Sequence, residues 1–267
     1  MLPISDSDLK TRSLPFVNIA IIILCSIVFF YELALNDLDL SVFFYQLGLI
    51  PNELAHGTDY KWLSTLSGDL VDIATPISNW VTMFTSMFIH GDWMHFLVNM
   101  LFLWVFGDNV EDKFGHFRYL LFYLVAGVAA AWLHIAVDTT SEIPTIGASG
   151  AIAGVLGAYL LLFPYSRIRT AVIFLFIVIV RIPAYFLLGF WFVLQFISGV
   201  GSLVPSLEAG GVAYWAHIGG FLLGIGVVVI YKLIKRESIW PKGPGGGKLG
   251  GYGNEFEVPQ YWRGRRL

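Results

Sequence analysis

A serine set among small residues, 147-GASG-150, opens an apolar run that continues to Phe163. Serine in such a run is usually packing material. It becomes a nucleophile only where a base takes its proton. His217, in 216-AHIGG-220, is the candidate base. His95 and Asn99 stand four apart in 95-HFLVN-99, a spacing that puts both on one helix face. Their ring and amide N–H groups suit an oxyanion, as do backbone N–H groups at the start of a helix. A weak nucleophile, a base and oxyanion donors together describe acyl transfer. Each taken singly has a blander reading: a packed serine, a satisfied core histidine, and His95 and Asn99 as interhelical hydrogen-bonding glue.

Those residues lie in a chain that is 57% hydrophobic and only 13% charged, with a mean hydropathy of +0.72. Soluble domains carry roughly a quarter charged residues, so the composition implies an integral membrane protein. A net charge of −3 and a pI near 6.0 argue against a nucleic-acid partner. The one cysteine, Cys25, excludes an intrachain disulfide and reads as a small buried hydrophobe.

A bilayer crossing takes about 20 apolar residues. Six stretches qualify: 15–36, 93–107, 118–137, 149–163, 183–199 (with an apolar approach from 170) and 213–233. The first is too long for a signal-peptide core and lacks a following A-x-A-like site. Basic residues cluster in alternate connections: Lys10 and Arg12; Lys113 and Arg118; Arg167, Arg169 and Arg181; Lys232, Lys235 and Arg236. The intervening loops hold only Lys61 in 37–92 and no Lys or Arg in 138–148 or 200–212. The bias places both termini in the cytoplasm. The expected organisation is a cytoplasmic segment 1–14, a six-helix membrane domain 15–236, and a Gly-rich cytoplasmic tail 237–267 without fixed structure. The loop 37–92 is expected to lie on the outer leaflet.

In this topology Ser149, His217, His95 and Asn99 all fall near the outer ends of their spans. The serine-bearing span rises only about 22 Å at 1.5 Å per residue, against a hydrocarbon core of about 30 Å. Ser149 is therefore expected below the outer surface, reached by an inward dip of 138–148 that lines a wet cavity. Gly150 and Gly154 on one span and Gly220 and Gly224 on another, each pair four apart, would let the helices approach closely enough for His217 to reach Ser149. Gly157 extends the small face.

Other polar residues read as structural. His134 lacks a motif partner, His116 and His56 are expected to be solvated, Gln195 reads as helix–helix glue, and Arg181 reads as an interfacial arginine at the inner end of span five. Met87-Phe88 and the Trp-rich stretches read as interfacial anchors. The absence of H-E-x-x-H argues against a zinc protease. A transport pathway would spread polar groups over several depths or show an inverted repeat. No cofactor is required.

Three pieces, 90-HGDWMHFLVN-99, 147-GASG-150 and 216-AHIGGFLLG-224, together resemble the rhomboid intramembrane serine proteases, over about 15–235. The resemblance implies an all-α, six-helix bundle whose short central helix carries the serine at its N-terminus. It implies a serine endopeptidase acting on transmembrane protein substrates in the bilayer. Ser149 is then the nucleophile, His217 the general base, His95 and Asn99 the oxyanion side chains and Gly147 the motif glycine. Gly150, Gly220 and Gly224 form the close-packing face, and His90 helps fix the first outer loop, the family's lateral loop. Span five and the 200–212 loop would gate substrate access. Two departures stand out. Thr82 occupies the arginine position of a Trp-Arg pair, with Trp80 displaced by one. Ala153 occupies a position four after the serine where some members stack an aromatic ring on the base, so base orientation must come from elsewhere. Non-catalytic rhomboid-like sorting factors are the alternative, and such relatives typically lack the serine–histidine pair.

Overall fold

The computed structural model describes residues 1–6, 9, 11–64, 68–173, 176–203 and 212–241. In chain order it runs through β1 (Leu2–Asp6), α1 (Phe16–Glu32), α2 (Asp37–Leu47), α3 (Pro51–His56), β2 (Trp62–Ser64), β3 (Leu70–Asp72), α4 (Asn79–Thr85) and α5 (Trp93–Phe102). A π-helical stretch, Leu103–Gly107, joins α5 to α6 (Asp108–Phe114). Then come α7 (His116–Val137), α8 (Ser149–Leu162), β4 (Arg167–Ile173), β5 (Ile177–Pro183), α9 (Ala184–Gly201) and α10 (Tyr214–Lys235). Helices α7, α9 and α10 are long and apolar enough to cross a membrane, and α1 and α8 are shorter apolar helices.

The all-α expectation needs correcting. The chain is mostly helical, but β1, β4 and β5 form an antiparallel sheet in the order β1-β4-β5, and β2 pairs with β3. The approach to span five is therefore taken up by β4 and β5. Its Val and Ile residues suit a pleated sheet as well as a membrane helix. Arg181 consequently sits in β5 directly opposite Arg169, not in a helix.

Helix α8 is buried along its length, with Gly150 to Tyr159 all enclosed. It packs chiefly against α10 and then α7. A Cβ on Gly220 would overlap the Gly150 carbonyl, one on Gly224 the Gly154 carbonyl, and one on Gly157 the Phe221 carbonyl. On the other side a Cβ on Gly154 would meet Ala126 at 2.5 Å, and one on Gly150 would meet Ala130 at 2.7 Å. In lipid, burying apolar surface between helices gains little, so contacts this close supply dispersion in its place.

The C-terminal end of α8 is tied to β1 and to the close of α10. Asp6 of β1 accepts from Ser166 Oγ at 2.8 Å and from the Tyr159 hydroxyl. The buried Lys232 of α10 donates to the carbonyls of Leu161 (2.7 Å) and Ile239 (2.9 Å). Its ammonium thus satisfies the end of α8, a role that charge counting had missed. Trp240 Nε1 donates to the Tyr165 hydroxyl, so the exposed residues after α10 touch the segment that follows α8. The remainder of the tail expected to lack fixed structure, 242–267, lies outside the described residues, as does 204–211 of the loop before α10.

Helix α1 is capped from a distance. The fully buried Glu111 accepts from Val17 N (3.1 Å) and Asn18 N (2.7 Å), and its carboxylate also pairs with His116 Nδ1. His116 is thus half-buried and paired, where solvation was expected. Asn18 donates to Leu103 O at 2.9 Å and accepts from the Tyr119 hydroxyl at 2.8 Å. A Cβ on Gly107 would strike the Asn18 amide. The π-helical stretch is therefore held by a buried amide on α1 and carries the helix past the expected end at 107, to Phe114.

At the opposite end, the described part of 37–92 holds short helices and the antiparallel pair β2–β3. Asn36 caps α2 through Leu38 N and Asp39 N, and Pro51 opens α3. The loop before α8 joins this layer through the Leu49–Thr145 bridge. Tyr60 donates to Glu142 at 2.7 Å, which pushes its phenol up to about 12. Burial raises the Glu53 carboxyl above its ordinary value, although Tyr60 N donates to it.

Candidate active site

Ser149 is the first residue of α8, and among the described residues no side chain caps that helix. The first N–H groups of a helix lack internal partners, so those around Ser149 are left as donors beside its hydroxyl. Gly147 makes the turn into the helix at φ 121°, a region only glycine enters readily. Its N–H donates to Ser86 O at 2.8 Å.

The glycine seam brings α10 to this point. His217, half-buried in the first turn of α10, places Nε2 2.8 Å from Ser149 Oγ. Its Nδ1 lies 2.7 Å from Gln195 Oε1 of α9. If Nδ1 carries the proton and donates it to the amide oxygen, Nε2 is left as the acceptor for the serine hydroxyl. The Trp191 ring lies 5.9 Å from the His217 ring at 37°. Sequence reasoning had put Gln195 down as glue and passed over Trp191. The available signal was their spacing of four on one face of an otherwise apolar helix, together with Ala153 at the position where some rhomboid members were expected to stack an aromatic ring.

His95 reaches the same place from α5. A Cβ on Gly147 would lie 2.5 Å from His95 Nε2 and 3.7 Å from Ser149 Oγ, which fixes the imidazole beside the serine turn. The missing side chain at 147 thus serves two purposes, the left-handed turn and room for His95. Asp92 caps α5 by accepting from His95 N at 2.9 Å. Asn99 is buried and spends one amide N–H on the His95 carbonyl, at 2.8 Å; an amide has a second N–H to offer. His90 stands behind His95, with ring centroids 5.2 Å apart. The two oxygens of the buried Glu32, at the end of α1, accept from its backbone N–H at 3.1 and 3.3 Å. Glu32 had escaped notice because it closes an apolar run. His134 Nε2 meets Thr145 Oγ1 at 3.1 Å and so anchors the loop leading to Ser149.

Among the described residues no group of three His, Cys, Asp or Glu side chains is arranged to hold a metal. The arrangement can deprotonate Ser149 as it attacks an electrophilic carbon and can surround the resulting oxyanion with N–H donors.

A Rhomboid domain profile matches residues 78–234. Rhomboid protein 1, mitochondrial, of Saccharomyces cerevisiae is 28% identical over 155 residues, covering 56% of this chain and 41% of the yeast protein. Rhomboid protease GluP of Bacillus subtilis is 34% identical over 145 residues, covering 54% of this chain and 25% of that protein. The human presenilin-associated rhomboid-like protein, mitochondrial, is 30% identical over 167 residues, covering 59% and 38%. The chain therefore spans about half or less of the length of these relatives. The profile match runs from the residue before α4 to the last turn of α10 and encloses Ser149 and His217, so the chain, a multi-pass integral membrane protein, belongs to the rhomboid family.

Proposed function

We propose that this protein is an intramembrane serine endopeptidase that cleaves transmembrane protein substrates with a Ser149–His217 pair. The observation that carries the reading is the 2.8 Å approach of His217 Nε2 to Ser149 Oγ, between helices whose glycines admit backbone contact. Ser149 Oγ attacks the scissile carbonyl carbon while His217 Nε2 accepts the hydroxyl proton. The oxyanion forms beside the α8 N-terminus, His95 and Asn99. The intermediate collapses to an acyl-enzyme as His217 returns the proton to the leaving amine. Water then attacks the ester by the same proton path and releases the second product. Neither a metal nor an organic cofactor takes part.

In this reading α1, the α5–α6 helix, α7, α8, α9 and α10 are the six spans. The 14 residues of α8 rise about 21 Å, less than the hydrocarbon core of about 30 Å. With its C-terminal end at one interface, Ser149 stands below the opposite one. The end carrying β1, the Arg-bearing hairpin and the close of α10 faces the cytoplasm, following the basic residues, in a cell membrane. Substrate arrives laterally near α9. Purified protein in detergent or proteoliposomes is expected to react with a fluorophosphonate and to cleave a transmembrane reporter. Ser149→Ala is expected to do neither while keeping its melting temperature. Cleavage by purified Ser149→Ala would overturn the assignment, and a folded protein inert to both probes would favour the non-catalytic sorting role.

A further inference from the structure

We infer that Gln195 is a positioning residue for the base, a neutral third partner that holds His217 in the tautomer able to accept the Ser149 proton; this rests on the protease reading above. His217 has two ring nitrogens and the structure occupies both, with Ser149 Oγ at 2.8 Å on Nε2 and Gln195 Oε1 at 2.7 Å on Nδ1. An imidazole carrying its proton on Nε2 would face the serine with a donor and could not take its proton. An acceptor fixed on Nδ1 selects the other tautomer, and it also stays bonded when His217 becomes doubly protonated. The amide oxygen supplies this as a neutral acceptor. No proton passes to Gln195.

Trp191, one helical turn earlier on α9, flanks the same ring. Two contacts from one face of one helix therefore fix both the tautomer and the tilt of the base, where Ala153 on α8 offers only a methyl group. Because both come from α9, the base is oriented only while α9 is seated against α10. Simple interhelical glue would need neither an acceptor on Nδ1 nor a ring beside the imidazole.

The test compares wild type, Gln195→Leu, Gln195→Glu and Ser149→Ala as full chains. It reads fluorophosphonate labelling rate, kcat and KM on a transmembrane reporter, and melting temperature. Gln195→Leu is expected to slow labelling and lower kcat by about tenfold or more, with KM and melting temperature little changed. Gln195→Glu, which keeps an acceptor, is expected to restore both rates to within a few-fold of wild type. Gln195→Leu labelling at the wild-type rate would overturn the inference while leaving the protease reading intact. So would Leu and Glu variants that lose melting temperature and rate together, the behaviour of glue. Wild type that neither labels nor cleaves would overturn the protease reading itself, and this inference with it.

Discussion

Along the α8–α10 seam, carbonyl groups of one helix occupy the space where the other would carry side chains. Along α9 the packing is looser and large side chains face outward, Phe190, Val193, Phe196 and Ile197 all being exposed. The candidate site draws on both regions. Ser149 and His217 stand on the seam, where backbone meets backbone and nothing can give. Gln195 and Trp191 stand on the looser helix and touch only the far side of the base. In the proposed dyad the spacing of Ser149 and His217 is therefore set by the close-packed α8–α10 pair, and the orientation of His217 by contacts from the more exposed α9.

Substitutions should separate the two regions. Gly220→Val drives side-chain atoms into the Gly150 carbonyl. It is expected to destabilise the bundle by about 3 kcal/mol or more and to abolish Ser149 labelling; thermal unfolding in detergent measures the first and a fluorophosphonate the second. Gly147→Ala combines a strained φ of 121° with a collision against His95. A loss of about 1–3 kcal/mol is expected, with labelling slowed about a hundredfold as the oxyanion side is displaced. Val193→Ala on the outer face of α9 should change stability by no more than about 0.5 kcal/mol and leave labelling alone. If it matched Gly220→Val, α9 would be as rigid as the seam and the contrast between them would fail.

Much of this was legible in the sequence. Helix positions followed from the apolar runs, because a segment lacking charges over some 20 residues has few other destinations. The approach of His217 and His95 to Ser149 followed from spacing and order, and the seam from glycines four apart, while Asn99 bonds the His95 carbonyl. What stayed hidden depended on contacts between distant segments. The run 170–182 carries no local signal separating strand from membrane helix, and its β4 portion pairs with β1 at the start of the chain. The π-helical stretch depends on Asn18, 85 residues away from the Leu103 carbonyl it meets. Glu111 sits next to a cluster of charges that reads as solvated, yet caps α1 from full burial. Gln195 looked like one more interhelical amide, and its partner is the catalytic candidate itself.

Fluorophosphonate labelling of the intact membrane-embedded protein, with the adduct located by peptide mass spectrometry, decides whether this site is a catalytic one. A single adduct on Ser149, lost in Ser149→Ala and slowed by at least about a hundredfold in His217→Ala, is the expected result. A folded wild-type protein that takes no label, or one that takes it at another residue, would contradict the assignment of Ser149 as nucleophile and His217 as its base.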